Sequence, residues 1–260
     1  MERIKLLGVD YMKKKYDLIG DVHGCFVECC ELLEKLGYKI KQDEKTKYGY
    51  KVENPEGRIA VFVGDICDRG PQVVDCFRLV MTMVENNQAL SILGNHEAKL
   101  IKKLNGRNVQ IKNGLEITVA QLEKENSKFV QAVKHFVNNL PIQLVLDEGK
   151  LVVAHAGLPE KYHGLSGKKV TTFAIFGDVN GSTDEHGLPI RRDWTLEYQG
   201  KAIVVYGHVP KIETYLSNNT YGIDTGCVFG GKLTCLKYPE LEIVQVKAKR
   251  VYSQHAHLVF

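Results

Sequence analysis

Four short polar signatures carry the residues of this chain that could do chemistry. In chain order they are Gly20-Asp21-Val22-His23-Gly24, Gly64-Asp65-Ile66-Cys67-Asp68-Arg69-Gly70, Gly94-Asn95-His96-Glu97 and His155-Ala156-Gly157. Each follows a run of apolar residues that predicts a buried strand. Asp, His and Asn side chains at the ends of neighbouring strands have the composition of a two-metal site that hydrolyses phosphate esters.

Six side chains are candidate metal ligands because of where they stand. Asp21 and His23 are two residues apart, so both project to the same side of extended backbone. Asp65 offers two oxygens that can bridge two cations. Sites in open α/β sheets lie at the carboxyl ends of the parallel strands. The sequence therefore predicts this ligand set: Asp21, His23, Asp65, Asn95, His155 and His208.

Each of these features, taken alone, has a simpler explanation. A lone Gly-Asp after a strand is usually a turn, and a lone histidine there is usually a core or rim residue. Asn95 alone could cap a helix, and Glu97 could merely favour the helix dipole. Five such sites in the same strand-end context are hard to assign to chance, so we favour the metal interpretation.

The donor set also narrows the choice of cation. Mixed oxygen and nitrogen donors without thiolate favour Mn²⁺, Fe or Zn²⁺, with Ni²⁺ or Co²⁺ as further alternatives, over Ca²⁺ or Mg²⁺. Two such ions about 3.5–4 Å apart would lower the pKa of a bridging water and bind phosphate oxygens.

Three further residues are candidates for catalysis rather than for metal binding. His96 follows Asn95 and can face a substrate, where an imidazolium could protonate the leaving oxygen. Asp68 could orient and stabilise that imidazolium. Arg69 is planar and bidentate, which suits non-bridging phosphate oxygens, although an ion pair with Asp68 is the simpler alternative.

Hydrophobic periodicity predicts the elements that position these residues. Strands alternating with helices in the first part of the chain indicate βαβ units and a parallel sheet. We expect a loop or hairpin over 39–56 and loops over 165–196. The predicted strands are 16–20, 58–63, 89–93, 142–146, 150–154, 202–206, 221–224, 232–236 and 242–246, the last four in a second sheet, and the predicted helices are 26–36, 72–85, 97–104 and 116–139.

Composition bounds the class of protein. The chain has 260 residues, 44% of them hydrophobic, and a formal charge of +4, which favours a polyanionic substrate but is far below that of a nucleic-acid-coating protein. Seven cysteines without a Cys-x-x-Cys pair argue against a disulfide framework and suggest a reducing cytoplasm. No apolar run is long enough to span a bilayer. We expect an N-terminal arm over 1–15, in which Met12 could be an internal start, and one domain over 16–260.

The ordered motifs GDVHG, GDICDRG, GNHE, HAG and YGH resemble those of the calcineurin-like metallophosphoesterases of the Ser/Thr phosphoprotein phosphatase superfamily. The resemblance spans nearly the whole chain. It implies a two-sheet αββα sandwich of the α/β class with a dinuclear site, usually supported by Mn²⁺. It also implies the ligand and catalytic residues named above.

Finer features resemble two bacterial branches of this superfamily. The stretches 189–194, 204–208 and 223–231 look like those of PrpE-type bis(5′-nucleosyl)-tetraphosphatases and of the phosphatase module of polynucleotide kinase-phosphatase. His155-Ala156-Gly157 departs from the His-Gly-Gly of eukaryotic-type phosphatases, which puts protein Ser/Thr phosphatase activity in doubt. Because the chain has no kinase or ligase motif, the PrpE-type branch is favoured.

Several residues could contact the substrate in addition to Arg69. Arg191 and Arg192 could bind a second phosphate, or could form surface ion pairs with Asp193 or Glu197. Asp224 could reach the site from the second sheet or merely turn the chain before a glycine.

Three functional hypotheses follow. The first is hydrolysis of dinucleoside polyphosphates, chiefly diadenosine tetraphosphate, by in-line attack of a metal-activated hydroxide. The second is hydrolysis of phosphomonoesters or cyclic phosphodiesters at RNA or DNA 3′ ends, or of phosphoproteins. The third is a non-catalytic nucleotide or RNA sensor, against which the full set of candidate ligands argues.

Overall fold

The computed structural model describes residues 15–185, 187 and 189–254. Within these residues two five-stranded sheets form the centre, and two hairpins lie outside them. The strands are β1 (Lys15–Ile19), β2 (Lys39–Gln42), β3 (Tyr50–Glu53), β4 (Arg58–Phe62), β5 (Ala89–Ser91), β6 (Gln143–Leu146), β7 (Leu151–Ala154), β8 (Val179–Thr183), β9 (Pro189–Arg191), β10 (Ile203–Tyr206), β11 (Tyr215–Ser217), β12 (Thr220–Gly222), β13 (Lys232–Tyr238) and β14 (Glu242–Lys247). The α-helices are α1 (Phe26–Lys35), α2 (Val73–Glu85), α3 (Asn95–Leu104), α4 (Leu115–Leu122), α5 (Ser127–Asn138) and α6 (Lys168–Phe176), and 3₁₀ helices lie at Asp147–Gly149, Glu160–Tyr162, Trp194–Glu197 and Cys227–Phe229.

The first sheet has the strand order β14-β13-β1-β4-β5. Its strands β1, β4 and β5 are parallel neighbours, with α1 between β1 and β4 and α2 between β4 and β5 along the chain. The predicted parallel βαβ arrangement is therefore confirmed. The hairpin alternative for 39–56 is also correct, because β2 pairs antiparallel with β3.

The second sheet has the order β11-β12-β10-β7-β6, with β7, β10 and β12 parallel. The prediction that 232–236 and 242–246 belong to this sheet is wrong. Strand β13 instead pairs antiparallel with β1, so that Tyr16 lies opposite Tyr238, and β14 pairs with β13. The alternation of apolar residues shows that a segment is a strand, but it carries no information on which sheet the strand joins.

Alternating side chains bury both faces of each sheet. In β4, Ile59 and Val61 pack in the core between the sheets, whereas Ala60 and Phe62 pack in the core that includes α1 and α2. In β7, Leu151 and Val153 likewise face the core between the sheets. Helices and loops cover the outer faces, which gives the predicted α/β sandwich of layers.

Two further expectations need correction. The predicted single helix over 116–139 is two helices, because Asn126 starts α5 by accepting a hydrogen bond from the Phe129 N–H at 2.9 Å. The segment 165–196 is not only loop: it contains α6, the β8–β9 hairpin and a 3₁₀ helix at Trp194–Glu197. Short elements of mixed polarity give weak periodicity, which explains both errors.

The predicted N-terminal arm lies outside the described residues except for Lys15, which begins β1. No helix among the described residues combines the length and the apolar character that a membrane crossing needs.

Candidate active site

The predicted ligands lie at one end of the sandwich, just after parallel strands of both sheets. The first sheet contributes residues that follow β1, β4 and β5, and the second contributes histidines that follow β7 and β10. The structure brings all six into one region: Asp21, His23, Asp65, Asn95, His155 and His208.

Glycines in the signatures let the carboxylates approach neighbouring backbone. A Cβ atom at Gly207 would lie 1.9 Å from Asp21 Oδ1, and one at Gly94 would lie 2.2 Å from Asp65 Oδ1. Any larger residue would displace the carboxylate. This explains why the GNHE motif begins with Gly94 and why Gly207 precedes the histidine of the YGH motif.

Three ligating atoms lie close to one another beside Asp65. Asn95 Oδ1 lies 2.7 Å from His208 Nδ1 and 2.9 Å from His155 Nε2, and the two ring nitrogens are 3.1 Å apart. Asp65 Oδ2 lies 3.3 Å from His155 Nε2. We call Asp65, His155 and His208 the His208 cluster; their ligating atoms all lie within 4.8 Å of one another.

A second set of ligating atoms also lies close to the Asp65 carboxylate. His23 Nε2 is 3.6 Å and His96 Nε2 is 3.9 Å from Asp65 Oδ2. We call His23, Asp65 and His96 the His96 cluster; it satisfies the same 4.8 Å limit. Asp65 belongs to both clusters, which is the position that a bridging ligand needs.

Backbone carbonyls fix the protonation of two imidazoles. His23 Nδ1 lies 2.8 Å from the Cys67 carbonyl, and His155 Nδ1 lies 2.9 Å from the Val63 carbonyl. A carbonyl only accepts, so each Nδ1 carries the proton and donates it. Each ring therefore turns its Nε2 toward Asp65, the orientation that metal-binding histidines adopt.

Asp21 approaches the site from β1 and is almost fully buried. Its Oδ2 accepts a hydrogen bond from the His208 backbone N–H at 3.0 Å. Its Oδ1 is buried without a hydrogen-bond partner. A buried carboxylate oxygen without a partner is costly, and a cation would satisfy it.

The pKa shifts of the ionisable groups also indicate a site for a cation. Burial raises the pKa of the Asp21 carboxyl well above its usual value, and Asp224 and Asp65 raise it further. Burial raises the pKa of Asp224 to about 6. Burial lowers the pKa values of His23 and His208 well below their usual range, and nearby cationic groups lower them further. Burial would also raise the pKa of Asp65, but the surrounding histidines outweigh it and hold that pKa well below its usual value.

The residues present fit divalent cations. The orphaned Asp21 oxygen, the crowded carboxyls and the convergent imidazole nitrogens form a site that a cation between them would stabilise. Carboxylate, amide and imidazole donors without thiolate are suited to first-row transition metals.

His96 and Asp68 form a buried pair beside the metal-binding region. His96 Nδ1 lies 2.6 Å from Asp68 Oδ2, and the Thr118 hydroxyl donates to Asp68 Oδ1 at 2.5 Å. The Asp68 backbone N–H in turn donates to the Thr118 oxygen at 3.0 Å. Thr118 was not among the predicted site residues, because it lies on α4, far from any signature in sequence.

Arg69 reaches into the site rather than pairing with Asp68. Its Nη1 lies 2.6 Å from His23 Nε2, and its guanidinium lies 5.2 Å from the centre of the Phe229 ring. The simple alternative of an Asp68–Arg69 ion pair is not observed among the described contacts, because His96 and Thr118 hold both Asp68 oxygens.

The residues predicted to bind substrate occupy different positions in the structure. Arg191 Nη2 lies 3.0 Å from His208 Nε2, so it reaches the His208 cluster. Arg192 pairs with Asp178 at 3.1 Å on the surface. Asp224 is buried, and its Oδ1 accepts a hydrogen bond from the Gly226 N–H at 3.0 Å.

Glu97 has a larger part in the site than its sequence position suggests. Its carboxylate is fully buried and accepts hydrogen bonds from the backbone N–H groups of Asp65 at 2.8 Å, Ile66 at 2.8 Å and Cys67 at 3.1 Å. It therefore holds the second signature against the third. A charged residue directly after the Asn95-His96 pair is the sequence signal for this role.

Comparison with known proteins agrees with this geometry. The family described as calcineurin-like phosphoesterase matches residues 14–244. The bis(5′-nucleosyl)-tetraphosphatase PrpE [asymmetrical] of Anoxybacillus flavithermus is 45% identical over 241 residues, covering 91% of this chain and 96% of that protein. The protein of the same name from Bacillus cereus (strain Q1) is 46% identical over 237 residues, covering 89% and 94%.

Solved structures share the fold. One, whose assignment as a diadenosine tetraphosphatase is provisional, superposes with a TM-score of 0.64 at 23% identity, covering 92% of this chain and 96% of that chain. A protein serine/threonine phosphatase from Saccharomyces cerevisiae gives a TM-score of 0.60 at 14% identity, with 95% and 82% coverage. By sequence, site and fold, the chain belongs to the calcineurin-like phosphoesterase family.

Proposed function

We propose that this chain is a metal-dependent bis(5′-nucleosyl)-tetraphosphatase that hydrolyses dinucleoside polyphosphates such as diadenosine tetraphosphate. The observation that carries the proposal is the position of Asp65, which belongs to two adjacent clusters of buried ligating groups. Relatives at 42–46% identity over most of the chain bear the name of this activity, which supports the choice of substrate.

Six residues would hold two cations, and Mn²⁺ is the ion we favour over Fe, Zn²⁺, Ni²⁺ or Co²⁺. Bound there, divalent cations supply activation of a water molecule and neutralisation of phosphate charge. The proposed ligands are Asp21, His23, Asp65, Asn95, His155 and His208.

The chain's own groups would move the proton and bind the phosphates. His96 donates from Nδ1 to Asp68, which leaves its Nε2 to give a proton to the leaving oxygen. The Asp68 carboxylate, fixed by Thr118, stabilises the imidazolium form. Arg69 would contact the phosphate under attack.

Three further residues would border the substrate site beyond the metal ligands: Arg191, Arg192 and Asp224. Arg191 is best placed to bind phosphate, because it contacts His208 directly. Arg192 would act from the surface, where it pairs with Asp178. Asp224 would help to set the charge around Asp21.

The experiment is chromatography of nucleotides after incubation of Mn²⁺-loaded protein with diadenosine tetraphosphate. We expect equal amounts of ATP and AMP, loss of activity on chelation and its recovery with Mn²⁺. Asp65→Asn should abolish cleavage. Asp75→Asn, which changes a half-buried carboxylate on α2, is the matched control and should leave cleavage intact.

Intact tetraphosphate beside rapid hydrolysis of p-nitrophenyl phosphate would overturn the proposed substrate. The proposed function would then move to phosphate at RNA or DNA 3′ ends or on phosphoproteins, and a 3′-phosphorylated oligonucleotide and a phosphopeptide would separate these two. The seven free cysteines support a reducing compartment, and we propose the cytoplasm.

A further inference from the structure

A cavity of about 180 Å³ opens directly beside the His208 cluster. His208, Asp224 and Arg191 line it, and Arg191 Nη2 lies 3.0 Å from His208 Nε2 in the proposed metal centre. We call this space the Trp194 cavity. A group bound in it would lie next to the first atoms that the proposed cations could contact.

Aromatic side chains form much of the wall of the Trp194 cavity. Trp194, Tyr206 and Tyr215 line it, and the Trp194 and Tyr206 rings pack edge to face with centroids 5.6 Å apart. Tyr215 is held by a hydrogen bond from its hydroxyl to Asp193 Oδ2 at 2.8 Å. Such rings bind nucleobases by stacking with little dependence on the base.

Two glycines keep the aromatic wall in place. A Cβ atom at Gly157 would lie 2.0 Å from Trp194 Cζ2, so the last residue of the His-Ala-Gly signature makes room for the indole. A Cβ atom at Gly222 would lie 3.1 Å from the Tyr206 ring. The Trp194 cavity is thus built from the same segments as the candidate metal centre.

Cationic side chains also line the Trp194 cavity. Arg191 contacts His208, Lys211 Nζ lies 3.2 Å from the centre of the Tyr215 ring, and Arg192 also lines the cavity. A cationic side chain beside the metal centre and aromatic side chains in the same cavity suit a phosphate and the nucleoside attached to it.

We propose that the Trp194 cavity binds the nucleoside at one end of a dinucleoside polyphosphate, a proposal that rests on the proposed function. Because the cavity borders His208 directly, the phosphate that reaches the metal centre is the first one attached to that nucleoside. The α-phosphorus of the bound half is therefore the atom attacked.

Attack at the α-phosphorus determines which bond forms and which bond breaks. The oxygen of water bonds to the α-phosphorus, the bond from that phosphorus to the α,β-bridging oxygen breaks, and the bridging oxygen leaves with the ATP half. The leaving oxygen takes its proton from His96, which belongs to the other cluster that contains Asp65, and a proton released by the attacking water passes to solvent and restores the His96 imidazolium. The bound half is released as AMP, so cleavage is asymmetric.

The position of the new oxygen tests the proposal. Diadenosine tetraphosphate is hydrolysed in ¹⁸O-labelled water, and the nucleotides are analysed by mass spectrometry. We expect the label in AMP and unlabelled ATP. Label in ATP, or two ADP products, would overturn the proposal while leaving the tetraphosphatase function standing.

Binding tests the cavity without any turnover. Trp194 is the single tryptophan of the chain, so its fluorescence reports on this cavity alone. With Mn²⁺ held constant, AMP should bind about 5- to 50-fold more tightly than inorganic phosphate, the range that base stacking provides. Equal affinities would overturn the proposal.

Variants make the assignment specific. Tyr215→Ala should remove most of the advantage of AMP over phosphate and raise KM for diadenosine tetraphosphate about 5- to 50-fold, because it removes an aromatic surface on which the base can stack. Tyr215→Phe should retain the advantage of AMP over phosphate. Leu216→Ala, whose side chain is exposed on the same strand, is the control. Unchanged values in Tyr215→Ala would contradict the proposal, and failure of every variant to cleave the tetraphosphate would contradict the proposed function instead.

Discussion

The Glu97 carboxylate accepts a hydrogen bond from the Asp65 backbone N–H at 2.8 Å, and both residues are buried. The third signature thus supports the backbone of the second at the residue that belongs to both proposed metal-binding clusters. A buried carboxylate that receives several N–H donors is a strong anchor, because each bond is charge-assisted.

Glu97→Gln should destabilise the fold and weaken metal binding. Its Oε1 accepts from Ile66 and Cys67 and its Oε2 from Asp65, so an amide NH₂ group must face at least one backbone donor. We expect a loss of about 1–3 kcal/mol in the free energy of unfolding, measured by urea titration. Glu116→Gln, which changes an exposed carboxylate that also accepts a backbone N–H, should cost far less.

His96→Ala should lower kcat for diadenosine tetraphosphate by about 10²- to 10⁴-fold, because it removes the proposed general acid. The loss should be larger with phenyl phosphate, whose phenoxide is a poor leaving group, than with p-nitrophenyl phosphate, whose leaving group departs without protonation. Steady-state kinetics on the two substrates measure this contrast. Equal losses on both would show that His96 acts on metal or phosphate binding rather than on the leaving group.

Asp224→Asn should change how stability depends on pH. The folded-state pKa of Asp224 is raised to about 6, so between its ordinary value and about 6 the folded chain binds the extra proton. Stability that comes from this group is therefore lost as pH rises through that window. In chelator-treated protein, the stability advantage of the variant over the wild type should therefore grow by about 1–2 kcal/mol between pH 5 and pH 8.

Thermal unfolding of both proteins across this pH range measures the difference. Comparison with the wild type cancels the contributions of the histidines, whose pKa values are shifted in both directions. A constant difference between the two proteins at pH 5 and pH 8 would contradict the assignment of a raised pKa to Asp224.

Cys30 should react slowly with iodoacetamide although it is only half-buried. Burial raises its pKa to about 12, so almost no thiolate is present at pH 8. Mass spectrometry should show slow modification of the folded protein and fast modification of all seven cysteines in urea. Rapid labelling of Cys30 in the folded state would contradict this environment.

Much of the site could be predicted because its residues follow strands directly. Each signature stands next to an apolar run, so local sequence placed Asp65 and Asn95 at the ends of neighbouring parallel strands. The bond between His96 and Asp68 also agrees with the predicted roles of that pair.

Other features depend on contacts that no local pattern encodes. Thr118 reaches Asp68 across 50 positions of sequence, and β13 joins β1 rather than the second sheet. The Trp194 cavity combines Trp194, from a segment predicted as loop, with Tyr206 of a correctly predicted strand and Tyr215 of β11, which was not predicted. Its aromatic residues come together through the pairing of β10, β12 and β11 within the second sheet, which no local pattern encodes.

Anomalous diffraction from crystals grown with Mn²⁺ would locate the proposed cations. We expect two manganese peaks about 3.5–4 Å apart, one on each side of the Asp65 carboxylate, with His208 at one and His23 at the other. A single peak, or peaks away from Asp65, would contradict the two-metal centre on which the proposed hydrolysis depends.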